Sequence, residues 1–244
     1  MRALKDHLIL IVGSVFMAGP LVWVLGGAVF DGGAWQALAR RDDLDLARMT
    51  RVSLVAAGGI AALTTGVAFL AAYALVFLKS AIARAVFWAT LATLYFPIEA
   101  RMLPTFDVIS TLGLVNRLGG LILPVLPMAL GTLVFRQHFR SFPGDVIEAA
   151  RLDGAGPLKV LVDIVLPLSA APIAAVFVLS FMIGWNQYLW PILAALDGST
   201  ATLVRALGQV GGDGARALAV LASMPPLICG VLALWLGLRI TVPR

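Results

Sequence analysis

The stretch Glu148-Ala149-Ala150-Arg151-Leu152-Asp153-Gly154, followed after nine intervening residues by Ile164-Val165-Leu166-Pro167, decides how this chain is read. It is the only substantially polar, helix-capable segment between two long apolar runs. Pro143 can open a helix, because the N–H it lacks has no partner in a first turn. Asp145 and Glu148 then lie near the positive end of that helix's dipole. Gly154 can take the left-handed conformation that ends it. Gly156-Pro157 restarts a second helix, which runs through Lys159 and Asp163 into the apolar segment at Ile164. The spacing predicts a short helix, a turn and a second helix at a membrane surface. Such a shape suits docking to a partner.

Working outward, composition sets the class. At 61% hydrophobic and 13% charged residues, with a mean hydropathy of +0.98, the 244 residues lie far outside soluble averages. The chain reads as an all-α, polytopic membrane protein. Its basic residues are dispersed among apolar spans, so membrane topology explains them better than nucleic-acid binding does. The lone Cys229 cannot form an internal disulfide. No G-x-x-x-x-G-K-[ST] stretch is present to cradle nucleotide phosphates. The two histidines, His7 and His138, lie far apart with no Cys or acidic cluster beside them, so a metal site or catalytic triad is a poor reading. No cofactor and no covalent chemistry are expected.

Six spans are expected, within a single domain covering 1–244. They run from His7 to Phe30 (with a kink expected at Pro20), about Val52 to Leu78, about Ala85 to Ile98, about Gly119 to Phe135, Ile164 to roughly Trp185, and about Gly214 to Leu238, the last broken by Pro225-Pro226. Between them, Asp31–Thr50 reads as a polar loop, Pro104–Arg117 as a short interfacial helix with a turn at Gly113 and Asn116, and 136–163 as a cytoplasmic loop. Asp197–Asp213 is a Gly-rich connection containing the apolar piece Ala201–Leu207. With both termini inside, the inner segments hold ten Lys and Arg and the outer ones eight, a weak positive-inside bias.

Two constellations are candidates for a substrate pathway. Glu99 and Arg101 close the third expected span. Ionisable residues there are often plain solvated interface residues, but an Arg fork also matches phosphate geometry, and Glu99 is placed to orient it. In Trp185-Asn186-Gln187-Tyr188-Leu189-Trp190-Pro191 the aromatic residues favour a membrane interface for purely physical reasons. The adjacent Asn186 and Gln187 amides are costly in lipid unless they face protein or water, which suggests a polar lining.

The spacing E-A-A, three residues, G, nine residues, I-x-L-P resembles the signature of bacterial ABC-importer permease subunits. Glu148, Ala149, Ala150, Gly154, Ile164, Leu166 and Pro167 fill all of its fixed positions. The resemblance implies a type I importer permease fold (MetI-like), in which the loop holding Glu148, Ala149, Ala150, Arg151, Asp153 and Gly154 is the coupling helix docked to an ATPase. It further implies a sister permease subunit, two copies of that ATPase, an extracytoplasmic substrate-binding protein and a place in the bacterial inner membrane.

Phe96-Pro-Ile-Glu-Ala-Arg-Met-Leu-Pro-Thr105, Phe135-Arg-Gln-His-Phe139 and Gly184-Trp-Asn-Gln-Tyr-Leu-Trp-Pro191 look more narrowly like the glycerol-3-phosphate branch of this family. The short first outer loop and the lack of an Arg-Gly-rich tail after Arg239 depart from the family pattern. The branch implies glycerol-3-phosphate or a glycerophosphodiester as substrate, and a neutral sugar or oligosaccharide is the nearest rival. An ion-coupled secondary transporter would want acidic residues deep within spans, whereas Glu99 and Asp107 sit at edges.

Overall fold

A computed structural model describes residues 2–77, 81–92, 95, 98–125 and 129–241. Helix α1 (Arg2–Phe30) is followed by α2 (Gly32–Ala39) and α3 (Leu46–Phe77). The expected loop over Asp31–Thr50 is therefore mostly helical, and each helix start has a local cause. The Asp31 carboxylate accepts from the Gly33 and Ala34 amides at 3.0 and 3.4 Å and so caps α2. Asp45 accepts from the Arg48 amide at 2.9 Å, so α3 begins at Leu46 and not near Val52.

Helix α4 (Ala81–Ala92) covers the start of the expected third span. Ile98, and with it Glu99-Ala-Arg101, belongs instead to the next helix, α5 (Ile98–Thr111). Lys79, Phe96, Pro97 and Pro127 lie outside the described residues. The expected turn is present: Gly113 and Asn116 both have positive φ, and the Leu114 amide reaches back to the Ile109 carbonyl at 2.8 Å. Then come α6 (Leu118–Ile122), a 3₁₀ turn (Leu123–Val125) and α7 (Ala129–Arg140).

The polar segment folds into α8 (Gly144–Leu152), α9 (Pro157–Val160), a π turn (Leu161–Val165) and α10 (Leu166–Leu168). Pro143 does not occupy the first helical position; it is the residue before it, with Gly144 first. The expected single span from Ile164 to Trp185 is also corrected. Ile164 lies in the π turn, and α11 (Ala170–Trp185) starts only after a bend of 76° at Ser169. Pro172 supplies the reason: it has no N–H for the Leu168 carbonyl, and its ring crowds that carbonyl. Ser169 leaves helical geometry (φ −103°, ψ 11°), and its hydroxyl donates to the Val165 carbonyl at 2.6 Å.

Short helices α12 (Leu189–Ala194) and α13 (Leu203–Ala206) precede α14 (Asp213–Thr241). The first α13 amide, Leu203 N–H, donates to the Ser53 hydroxyl of α3 at 2.8 Å. Helix α14 continues through Pro225-Pro226 without the break expected there.

Helix α3 is the axis of the fold. Val52 and Ala56 join a cluster with Ile109, Leu121, Trp190 and Ala194. Ala57 and Ala61 pack with Phe181, Trp185, Leu203 and Leu218. Ala68, Phe69, Ala72 and Tyr73 pack with Phe135, Phe139, Ile147 and Val176. Missing side chains permit this convergence: a Cβ on Gly131 would lie 3.1 Å from the Ala68 Cβ and 3.2 Å from a Val176 methyl. Among the described residues, α3 and the Gly214–Ala233 part of α14 are long and apolar enough to cross a membrane. Two bent pairs, Leu118–Val125 with Ala129–Arg140 and Pro157–Leu168 with Ala170–Trp185, raise that number to four if each is one span.

Candidate functional site

The α8 helix has two distinct faces. Ile147 is buried and Ala150 half-buried against the α3–α7 cluster, whereas Asp145, Glu148, Ala149, Leu152 and Asp153 point outward. The adjacent alanines thus do different work: Ala150 lets α8 settle on the core, and Ala149 keeps the outward face low. Asp145 in the first turn and Arg151 in the last complement the helix dipole.

The turn that follows is a Schellman motif. Gly154 has φ +80°, its amide donates to the Arg151 carbonyl at 3.0 Å, and the Ala155 amide donates to the Ala150 carbonyl at 2.9 Å. The outward surface is also apolar in part: Leu152 is 84% exposed and Leu158, just past the turn, 72%. A groove of about 520 Å³ separates α8 from the ends of α3 and α7, with Phe77, Phe139, Phe142 and Ile147 as its walls and Glu148 and Arg151 along it.

Beneath α8 lies an aromatic ladder that sequence reasoning missed. Phe69, Tyr73 and Phe77 on α3 meet Phe135, Phe139 and Phe142 at the end of α7. Ring centroids of Phe69 lie 5.2 Å from both Phe135 and Phe139, in edge-to-face geometry. The signal was available: aromatic residues four apart stand on one helix face.

The two tryptophans of the second motif are core residues. Trp185 is 1% exposed, and its indole N–H donates to the Ala222 carbonyl at 2.8 Å. Trp190 is 5% exposed and donates to the Gly120 carbonyl at 3.0 Å. Asn186 ends α11, is exposed, and folds its amide back on the Met182 carbonyl at 2.9 Å. Gln187 is half-buried, and the half-exposed Tyr188 lies across Gly208, where any Cβ would strike its hydroxyl.

Arg101 is exposed in the first turn of α5, and the Glu99 side chain lies outside the described residues. Met102, Phe106 and Ile109 pack α5 into the cluster that holds Trp190 and Ala194. The two candidate pathway elements therefore share one body of the fold.

A chain in the crystal structure of a bacterial ABC transporter involved in the import of the acidic polysaccharide alginate superposes with a TM-score of 0.77. The match covers 96% of this chain and 95% of that one, at 18% identity. The fold is thus the all-α fold of that transporter's chain. The family of binding-protein-dependent transport system inner membrane components matches residues 2–241, and the chain belongs to it.

Similar relatives include the sn-glycerol-3-phosphate transport system permease protein UgpE of Brucella melitensis, 36% identical over 94% of this chain and 92% of that protein. The protein of the same name from Rhizobium meliloti is 40% identical over 78% of this chain and 70% of its own length. The one from Yersinia pestis is 35% identical over 93% and 82%. This is a multi-pass bacterial inner-membrane transport subunit and not an enzyme.

Proposed function

We propose that this chain is the E-type permease subunit of an ATP-driven importer for sn-glycerol-3-phosphate or a glycerophosphodiester. The observation that carries the coupling half of this reading is the outward face of α8. Glu148, Ala149 and the 84%-exposed Leu152 stand clear of the fold on a helix held from behind by buried aromatic rings. A polar-rimmed apolar patch of this kind fits a partner surface. The substrate half draws support from the names of the relatives.

In this reading, 1–244 form one transmembrane domain with six spans, both termini are cytoplasmic, and 136–163 form the cytoplasmic coupling loop. A sister permease, two ATPase copies and an extracytoplasmic binding protein complete the importer. Closure of the ATPase pair moves α8 through Glu148, Ala149, Ala150, Arg151, Asp153 and Gly154, and the spans rock between inward-open and outward-open states. Arg101 with Glu99, and Asn186, Gln187 and Tyr188 backed by Trp185, contribute to the substrate path, with Arg101 suited to a phosphate by its planar fork.

The test is ATP hydrolysis by the reconstituted complex with its binding protein, with glycerol-3-phosphate compared against a neutral sugar. Stimulation by the phosphate alone is expected. Stimulation by the sugar alone would discard the substrate and keep the importer.

A further inference from the structure

We propose that Tyr73 is a positioning residue for energy coupling, tying the segment behind the coupling helix to the central membrane helix. The proposal rests on the reading of α8 as the coupling helix. The Tyr73 hydroxyl, on a side chain only 7% exposed, donates to the Pro157 carbonyl at 2.6 Å. Pro157 opens α9, and its carbonyl also accepts from the Leu161 amide where the π turn begins.

The bond joins residues 84 apart in sequence, so no local folding preference places it there. Within the ladder formed with Phe69, Phe77, Phe135 and Phe139, packing asks for a ring at position 73 and not for a phenol. The hydroxyl is therefore free to serve a directional role: it fixes where α9 sits along α3. A second contact acts on the other limb of the Gly154 turn. There the Arg151 guanidinium reaches the carbonyl of Phe77, the last residue of α3, at 3.5 Å. That carbonyl lies at the negative end of the α3 dipole, where a cation is favoured.

Both limbs of the helix–turn–helix are thus attached to α3, one through Arg151 and one through Tyr73. Helix α3 takes part in all three core clusters. A push on α8 is accordingly delivered to α3 as a whole, while the 76° elbow at Ser169 lets the same segment meet α11 at an angle. Without the hydroxyl, α9 can slide along α3 and part of the stroke is lost.

Tyr73→Phe keeps the ring and removes only this bond. In the reconstituted complex, with binding protein and glycerol-3-phosphate, substrate transported per ATP hydrolysed should fall about fivefold, roughly the equilibrium factor of one net hydrogen bond, with assembly unchanged. A second readout needs no substrate. Spin labels at Leu70 and Val162, 55% and 50% exposed, are introduced in a Cys229→Ala background. Their separation should stay in one narrow distribution with and without ATP, and should broaden on ATP binding in Tyr73→Phe.

Wild-type coupling and an unchanged distance distribution in Tyr73→Phe, while Gly154→Leu uncouples, would overturn the role of Tyr73 alone. Normal transport in Gly154→Leu and Glu148→Arg as well would remove the coupling reading of α8, and this proposal with it.

Discussion

Two indole N–H groups among the described residues donate to a carbonyl four residues before a proline. The Ala222 carbonyl would bond the amide of residue 226 in an unbroken helix, and Pro226 has none; Trp185 takes its place at 2.8 Å. The Gly120 carbonyl stands in the same relation to Pro124, and Trp190 fills it at 3.0 Å. Trp35 closes a third open carbonyl, that of Ala28 near the end of α1, at 2.8 Å. In lipid such a group left bare is expensive. Trp185→Phe should therefore destabilise the protein by about 1–3 kcal/mol, the cost of a buried unsatisfied group. Pro226→Ala restores the missing amide, so in thermal unfolding the double variant should lose much less than the two single losses added. Strict additivity would refute the pairing. The motif around Trp185 was visible in the sequence. Its partner was not, because an open carbonyl is recognised only when the helix that carries it lies alongside.

At the scale of the element, the helix–turn–helix was largely legible. Gly154 takes the left-handed conformation expected of it, at φ +80°. Gly154→Leu should cost about 1–2 kcal/mol of local strain and rotate α8 out of line, and loss of ATP-linked uptake by an inserted, assembled complex measures the effect. The elbow was not legible as such, because Pro172 announces a disturbance but the direction taken at Ser169 depends on where α11 packs. The connection after α12 carries a pH-sensitive turn. Asp197 is held below the ordinary carboxylate range, first by the Ser199 hydroxyl and then by the Ser199 amide, which donate at 2.7 and 2.9 Å. A lowered folded value means that the contribution is present above the unfolded value and is lost as pH falls through the folded one. Asp197→Asn should lower the thermal midpoint slightly at neutral pH, and the difference from wild type should vanish in acid below that depressed value. A difference that persists unchanged in strong acid would contradict the turn's role.

At the scale of the whole molecule, the proposed coupling role of α8 implies an orientation that labelling can test. Cysteines at Asp42 and Ser141, both exposed, probe the two sides in a Cys229→Ala background. A membrane-impermeant maleimide should label the first in intact cells and the second only after the membrane is opened; the reverse pattern would overturn the six-span, inside-terminus topology. Composition and the segment from Glu148 to Pro167 determined by themselves that this is a helical membrane protein with a helix–turn–helix between apolar runs, because apolar length and turn chemistry act within a few residues along the chain. The role of α3 as common axis, the division of labour between Ala149 and Ala150, the tryptophans closing proline-opened carbonyls and the tie from Tyr73 to Pro157 were decided only by tertiary structure. Each of them pairs groups far apart in sequence, and only packing sets which helix faces meet.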